Sequence, residues 1–229
     1  MRAVCLTSNS YIHCITPFAY LWNKFFGLPV VVAGYDVQPE SLPANFSWLS
    51  IGAQADYTWS AGVLKLLDLL PDELFILVLE DYLLSTQVDM QAVTALAGII
   101  QRRSDVVKID LTDDRLKVGH TAYGRIGDVS LIRSADDAPY QMSVQAAIWR
   151  KSWLRAYLDP AEDAWQAEKF GTRRIVSART QGRERGVILG TTQPPMRYVN
   201  AIGGEGTMPG TWARHRFPEW MLDELEGMM

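Results

Sequence analysis

The stretch Leu74-Phe75-Ile76-Leu77-Val78-Leu79-Glu80-Asp81-Tyr82-Leu83-Leu84 constrains this chain more than any other. Six apolar residues run without a polar break and then meet two adjacent carboxylates. Pro71-Asp72-Glu73 before it and Ser85-Thr86-Gln87 after it bound the run at strand length. A run that is apolar at every position, rather than at every second one, suits a strand buried on both faces. Desolvating an unpaired carboxylate is costly, so charges at the end of such a strand need a reason. In open α/β sheets, ligands sit in the crevice at the carboxyl ends of the strands. Glu80 and Asp81 therefore stand where a metal–phosphate group would be held.

The rest of the chain supplies a core for such a strand. At 229 residues, 48% apolar and 21% charged, it has the profile of one larger soluble globular domain, residues 1–229. The net charge of -4 argues against nucleic acid or a membrane surface as the default partner. No apolar run approaches the roughly 18 to 20 residues that span a bilayer. Asn9, Ser10 and His13 break up any signal-peptide core near the start. Cys5 and Cys14 lack metal-type clustering and read as free thiols, which points to a cytoplasmic protein.

Strand and helix patterns alternate through residues 1–112. Arg2 to Thr7 reads as a first strand that opens into Ser8-Asn9-Ser10. Ile15, Phe18, Trp22 and Phe25 recur at helical spacing up to Gly27, with Thr16 as N-cap or Pro17 as a kink in a longer helix. Pro29 to Tyr35 is a second strand and Trp48 to Ile51 a short third. Thr58 or Ser60 caps a helix that Pro71 stops, and a further helix covers about Asp89 to Arg103 before a strand at Val106 to Leu111. This alternation is the signature of a parallel α/β sheet. After Asp113 the pattern changes. Tyr123 to Arg133 reads as an antiparallel hairpin, Met142 to Ile148 as a strand, Trp149 to Leu158 as an amphipathic helix, and Pro218 to Leu225 as a short last helix.

A carboxylate pair at a strand end has three readings: a divalent-metal site, an acid/base pair, or a structural salt bridge. Mg²⁺ and Mn²⁺ prefer hard oxygen ligands and are often held by one or two carboxylates plus substrate phosphates. The first strand exits into Thr7-Ser8-Asn9-Ser10-Tyr11, hydroxyls, an amide and an aromatic suited to a base-and-ribose pocket, or simply to a turn. It has neither Gly-x-Gly-x-x-Gly nor Gly-Lys-Ser/Thr, which argues against dinucleotide and P-loop chemistry. Arg173, Arg174, Arg179, Arg183 and Arg185 cluster in an otherwise acidic protein, as a solvated face or as a surface for a phosphate-bearing acceptor or nucleic acid.

The order strand, helix, strand, then Trp59-Ser60-Ala61-Gly62 opening a helix, then Leu79-Glu80-Asp81-Tyr82, resembles the nucleotide-binding half of GT-A glycosyltransferases. It is most similar to small proteins of bacterial and phage carbohydrate gene clusters. Met142 to Arg150 followed by Ala164-Trp165-Gln166-Ala167-Glu168 resembles their acceptor side, so the likeness covers about residues 2 to 170. Glu80-Asp81-Tyr82 falls where that family has its Asp-x-Asp metal motif, with Tyr82 in place of the final acid. The resemblance implies a GT-A-like fold, a mostly parallel sheet flanked by helices with a small antiparallel portion. Residues 1–112 would bind the nucleotide sugar and 113–229 the acceptor. It implies sugar transfer from a nucleotide donor, UDP-linked by preference, to a carbohydrate or other hydroxyl acceptor. Thr7, Ser8, Asn9, Tyr11, Trp59, Glu80 and Asp81 would hold the donor. Asp81 would bind Mn²⁺ or Mg²⁺, with His215 as a late metal ligand. Glu168, with Asp163 second, would take the acceptor proton. Trp149 and Trp165 would stack on a sugar face or fill the core, and Gly203 to Gly206 would form a flap. Two rival outcomes are a carbohydrate-binding module without catalysis and a phage-type enzyme acting on DNA. A nucleotidyltransferase is disfavoured, because the Gly-rich signature expected near the first strand is absent.

Overall fold

A computed structural model describes residues 1–202 and 211–229. In chain order the elements are β1 (Ala3–Leu6), α1 (Ile15–Phe25), β2 (Val30–Gly34), β3 (Phe46–Ser50), α2 (Trp59–Leu69), β4 (Leu74–Leu79), β5 (Tyr82–Leu84), α3 (Met90–Arg102) and β6 (Val106–Asp110). Then follow β7 (His120–Ile126), β8 (Val129–Ser134), β9 (Ala147–Arg150), α4 (Lys151–Tyr157), α5 (Ala164–Thr180), β10 (Val187–Thr191), β11 (Tyr198–Asn200) and α6 (Glu219–Glu224). The fold is α/β, as expected, with helices covering strands that mostly run one way. The chain divides into two compact units, one of residues 55–77 and 89–195, the other of 2–54, 78–88 and 196–229. Among the described residues no helix is long and apolar enough to cross a membrane.

In the second unit β1, β2 and β3 pair in parallel, Ala3 opposite Val30 and Val30 opposite Phe46. β5 and β11 form a small antiparallel ribbon, Tyr82 opposite Asn200. The buried face of α1 is Ile15, Phe18, Leu21 and Trp22, the spacing legible in the sequence. Gly27, at φ +74°, takes the left-handed position after this helix, and its N–H returns to the Trp22 carbonyl at 2.9 Å. One boundary differs from expectation. The exit of β1 winds into a 3₁₀ turn over Asn9–Cys14 and α1 begins at Ile15, so neither a Thr16 cap nor a kink occurs. Pro17 falls in the first helical turn, where its missing N–H costs nothing.

In the first unit β9 lies antiparallel between β4 and β6, β10 runs parallel to β6, and β8 and β7 follow antiparallel. β4, β6, β10 and β7 thus point one way, with β9 and β8 opposed. Thr58 caps α2 through Ala61 N–H at 3.1 Å, and Asp89 caps α3 through Ala92 N–H at 2.9 Å. The strand expected over Met142 to Ile148 is corrected to Ala147–Arg150, and the helix expected from Trp149 begins at Lys151. Residues 142–145 are not ladder-paired. Side chains hold them instead, as described below. Trp149 is a fully buried strand residue and is therefore core, not a sugar platform.

Candidate active site

The long apolar run is two strands. β4 ends at Leu79, Glu80 and Asp81 make the turn, and β5 starts at Tyr82. Tyr82 stacks on Tyr198 of β11, centroids 4.4 Å apart, and the Asp81 carbonyl accepts the Ala201 N–H at 2.8 Å. Tyr82, the aromatic that follows the carboxylate pair, is therefore a buried packing residue. Glu80 is buried, and its carboxyl is pushed well above the usual range by burial first and by the Asp81 charge second. Asp81 is half-buried; burial lifts it from 3.8 to about 6, against the pull of its own backbone N–H and of Arg216. Of the two carboxyls Glu80 is the more buried and Asp81 the more open to solvent.

The exit of β1 belongs to the same unit. Burial raises the Cys5 and Cys14 thiols, and Glu80 and Asp81 raise both further, so the two carboxylates lie within electrostatic reach of either end of the Thr7–His13 segment. Thr7 is buried, its N–H on the Ala33 carbonyl at 2.9 Å. Ser8 precedes the 3₁₀ turn and its carbonyl accepts the Tyr11 N–H at 3.0 Å. Asn9 knits together the loops after β1, β2 and β3. Its amide donates to Asp36 at 2.7 Å, its carbonyl oxygen accepts from Val37 N–H at 3.2 Å, and its N–H donates to Gln54 at 2.7 Å. Asp36 also accepts from the Gln54 N–H at 3.0 Å, and these bonds, the Asn9 one first, hold its carboxyl below the usual range. These loops leave the carboxyl ends of three parallel strands, the usual seat of a ligand in such sheets. Asp36 and Gln54 are not among the residues that the sequence singles out. The signal for Asp36 was present, since it follows a β-branched strand as Asp81 follows β4.

The donor set near Asp81 bears on a metal. Among the described residues no three His, Cys, Asp or Glu side chains are grouped to hold an ion. His215 lies exposed on a 3₁₀ turn, Arg214–Arg216. One or two hard carboxylate oxygens fit a Mg²⁺ or Mn²⁺ that arrives on substrate phosphates, and do not fit a cage built by protein alone. The proposed flap, Gly203 to Gly206, lies outside the described residues.

In the other unit Glu168 stands one turn inside α5, and its Oε1 accepts the Val144 N–H at 2.7 Å. Burial raises its carboxyl, opposed by that N–H and by Lys108, while Asp114 adds to the rise. The segment it holds is pinned at every residue. Thr172 accepts Met142 N–H at 3.1 Å, Lys108 donates to the Ser143 carbonyl at 2.7 Å, and Ser143 Oγ donates to Asp114 at 2.9 Å. Lys108 is 0% exposed in β6 and pairs with Asp110 at 2.8 Å, which Arg115 also meets at 2.8 Å. Burial alone would raise Asp110, but the two cations outweigh it and hold the carboxyl low. Burial lowers the Lys108 ammonium more than Asp110 restores it. Asp163 caps α5 in a reciprocal capping box with Gln166, at 2.8 and 3.0 Å. Trp59 opens α2, half-buried.

No protein-family model matches the chain, and no curated protein matches it in sequence. Among solved structures it is similar to the bifunctional IspDF from Campylobacter jejuni at 12% identity and a TM-score of 0.45, over 87% of this chain and 52% of that one. It is similar to CMP:2-keto-3-deoxy-manno-octonic acid synthetase complexed with CTP at 11% and 0.47, over 87% and 92%. It is also similar to UDP-glucose pyrophosphorylase complexed with UDP-glucose at 13% and 0.44, over 87% and 93%. The chain spans about half the length of the first of these. None of the three is named as a glycosyltransferase.

Proposed function

We propose that this protein is a nucleotide-sugar-dependent glycosyltransferase. The observation that carries the reading is the Glu80–Asp81 turn, which closes an apolar strand beside the exit of β1. The Thr7–Tyr11 segment and Asp36 take the base and ribose, and Asp81 would hold a divalent ion at the diphosphate end. That ion, when bound, supplies positive charge to the departing diphosphate. Glu168 receives the proton of the acceptor hydroxyl as its oxygen attacks the anomeric carbon and the bond to the nucleoside diphosphate breaks. Burial raises its carboxyl above the ordinary range, which makes it a stronger base than a solvated carboxylate.

A transfer of a nucleotidyl group from a nucleoside triphosphate, the rival chemistry, needs a triphosphate cradle. Residues 7–16 of this chain contain no Gly, Lys or Arg to build one, which favours the glycosyl reading. Calorimetry with UDP tests it. The expected result is binding that requires Mn²⁺ and is lost in Asp81→Asn; equal binding without Mn²⁺ and in the variant contradicts it.

A further inference from the structure

Trp165 is 78% exposed, whereas Trp22, Trp149 and Trp153 of the same chain are buried. It sits in the first turn of α5, three residues before Glu168, and so shares a face with it. That face is a continuous row. Residues 141–144 run along it against the helix direction, with Gln141 on Arg179, Met142 on Thr172 and Val144 on Glu168. Trp165 continues the row by one more turn, past the last residue of the pinned segment, and its ring stands in water.

We propose that Trp165 is a stacking platform for the pyranose ring of a neutral carbohydrate acceptor. The inference rests on the reading of Glu168 as the base and names the substrate class it serves. An indole face packs on the C–H face of a sugar, and a carboxylate one turn away accepts from a hydroxyl at the ring edge. A base of a nucleic acid would stack as well, but charge decides between the two. The Trp165 end of α5 carries Asp163 and Glu168 with Lys169 opposed, whereas the exposed Arg173 stands eight residues on, about 12 Å along the axis, beside Arg174, which Glu162 already pairs. A polyanion would settle at the arginine end, and a neutral polyol meets the acids without penalty.

The test uses the full chain labelled with ¹⁵N at its indoles, with Trp165→Phe identifying the Trp165 signal. The probes are methyl α-mannopyranoside, methyl β-glucopyranoside, methyl β-galactopyranoside and cellobiose at about 100 mM, against a ten-residue oligothymidylate. The expected result is a saturable shift of the Trp165 signal with at least one sugar and none with the oligonucleotide. No shift with any sugar, or a shift with the oligonucleotide alone, overturns the proposal. So does a shift that follows protein concentration, which makes the ring a contact between two copies. Trp165→Ala should melt within about 1 °C of wild type, because the ring is solvated. Failure of UDP to bind at Asp81 would leave the sugar shift intact and would count against the proposed function alone.

Discussion

Asp81→Asn separates a functional carboxylate from a structural one, because the two readings predict opposite signs of stability change. Asp81 is raised from 3.8 to about 6 in the folded protein, chiefly by burial. At about 1.4 kcal/mol per pH unit, keeping the charged form at neutral pH costs about 3 kcal/mol. Solvent at the half-buried carboxylate trims this to about 2 kcal/mol. The asparagine amide gives back about 1 kcal/mol in its own desolvation. The variant should therefore be more stable by about 1 kcal/mol at pH 7.5, with relief of Glu80 adding to the gain. The pH dependence has a fixed sign. A carboxyl raised on folding stabilises the folded form fully below 3.8, and that contribution is lost as pH rises through about 6. The pH-dependent part of the gain should thus fade toward pH 4, where only the amide's cost of about 1 kcal/mol remains and the variant becomes the slightly less stable form. Urea unfolding in EDTA, followed by tryptophan fluorescence at both pH values, measures it. A variant less stable than wild type by 1 kcal/mol or more at pH 7.5 would refute the reasoning and make the Asp81–Arg216 attraction structural.

Three further outcomes are expected. Glu168→Gln should leave UDP affinity within about twofold while lowering turnover about 10²- to 10⁴-fold, read by calorimetry and initial rates; normal turnover moves the base elsewhere, Asp163 first. Asp110→Asn should cost about 3 to 5 kcal/mol in urea unfolding, since it leaves the Lys108 and Arg115 charges buried with a neutral partner. Because Asp110 is depressed, its contribution is present above the unfolded carboxyl range and fades only as pH falls through the folded value, so the loss should be full at pH 7. Gly34→Ala should cost about 1 to 3 kcal/mol, because a Cβ there overlaps the Trp48 ring and comes within 3.0 Å of Thr7 Cγ2; an unchanged midpoint would show that the ring yields freely.

Local patterns carried much of this fold, and long-range pairings did not. β1, β2, β6 and the helices capped by Thr58 and Asp89 were readable because burial period and cap chemistry agree at those sites. α5 beyond Glu168 was not, since its buried positions include Ala167, Gly171 and Ala178 among arginines, too little apolar area to stand out. β10 is a five-residue strand between an arginine segment and a proline pair, and only its parallel partner β6 reveals it. The antiparallel insertion of β9 has no local signature at all. The strand expected from Met142 failed because its polar groups are met by Thr172, Lys108, Asp114 and Glu168 from distant sequence. In sequence Lys108 and Asp110 read as ordinary residues of the Val106 to Leu111 strand. Two opposite charges two residues apart on one face of a buried strand were the available signal.

Glycosyl and nucleotidyl transfer differ in which bond of a nucleotide sugar is broken. Incubating the protein with UDP-, GDP- and dTDP-sugars and Mn²⁺, with and without pyrophosphate, and following ³¹P signals reads that bond directly. The expected result is slow release of a nucleoside diphosphate from at least one donor, unaffected by pyrophosphate and absent in Asp81→Asn. Formation of a nucleoside triphosphate on adding pyrophosphate, or an intact panel throughout, would contradict it.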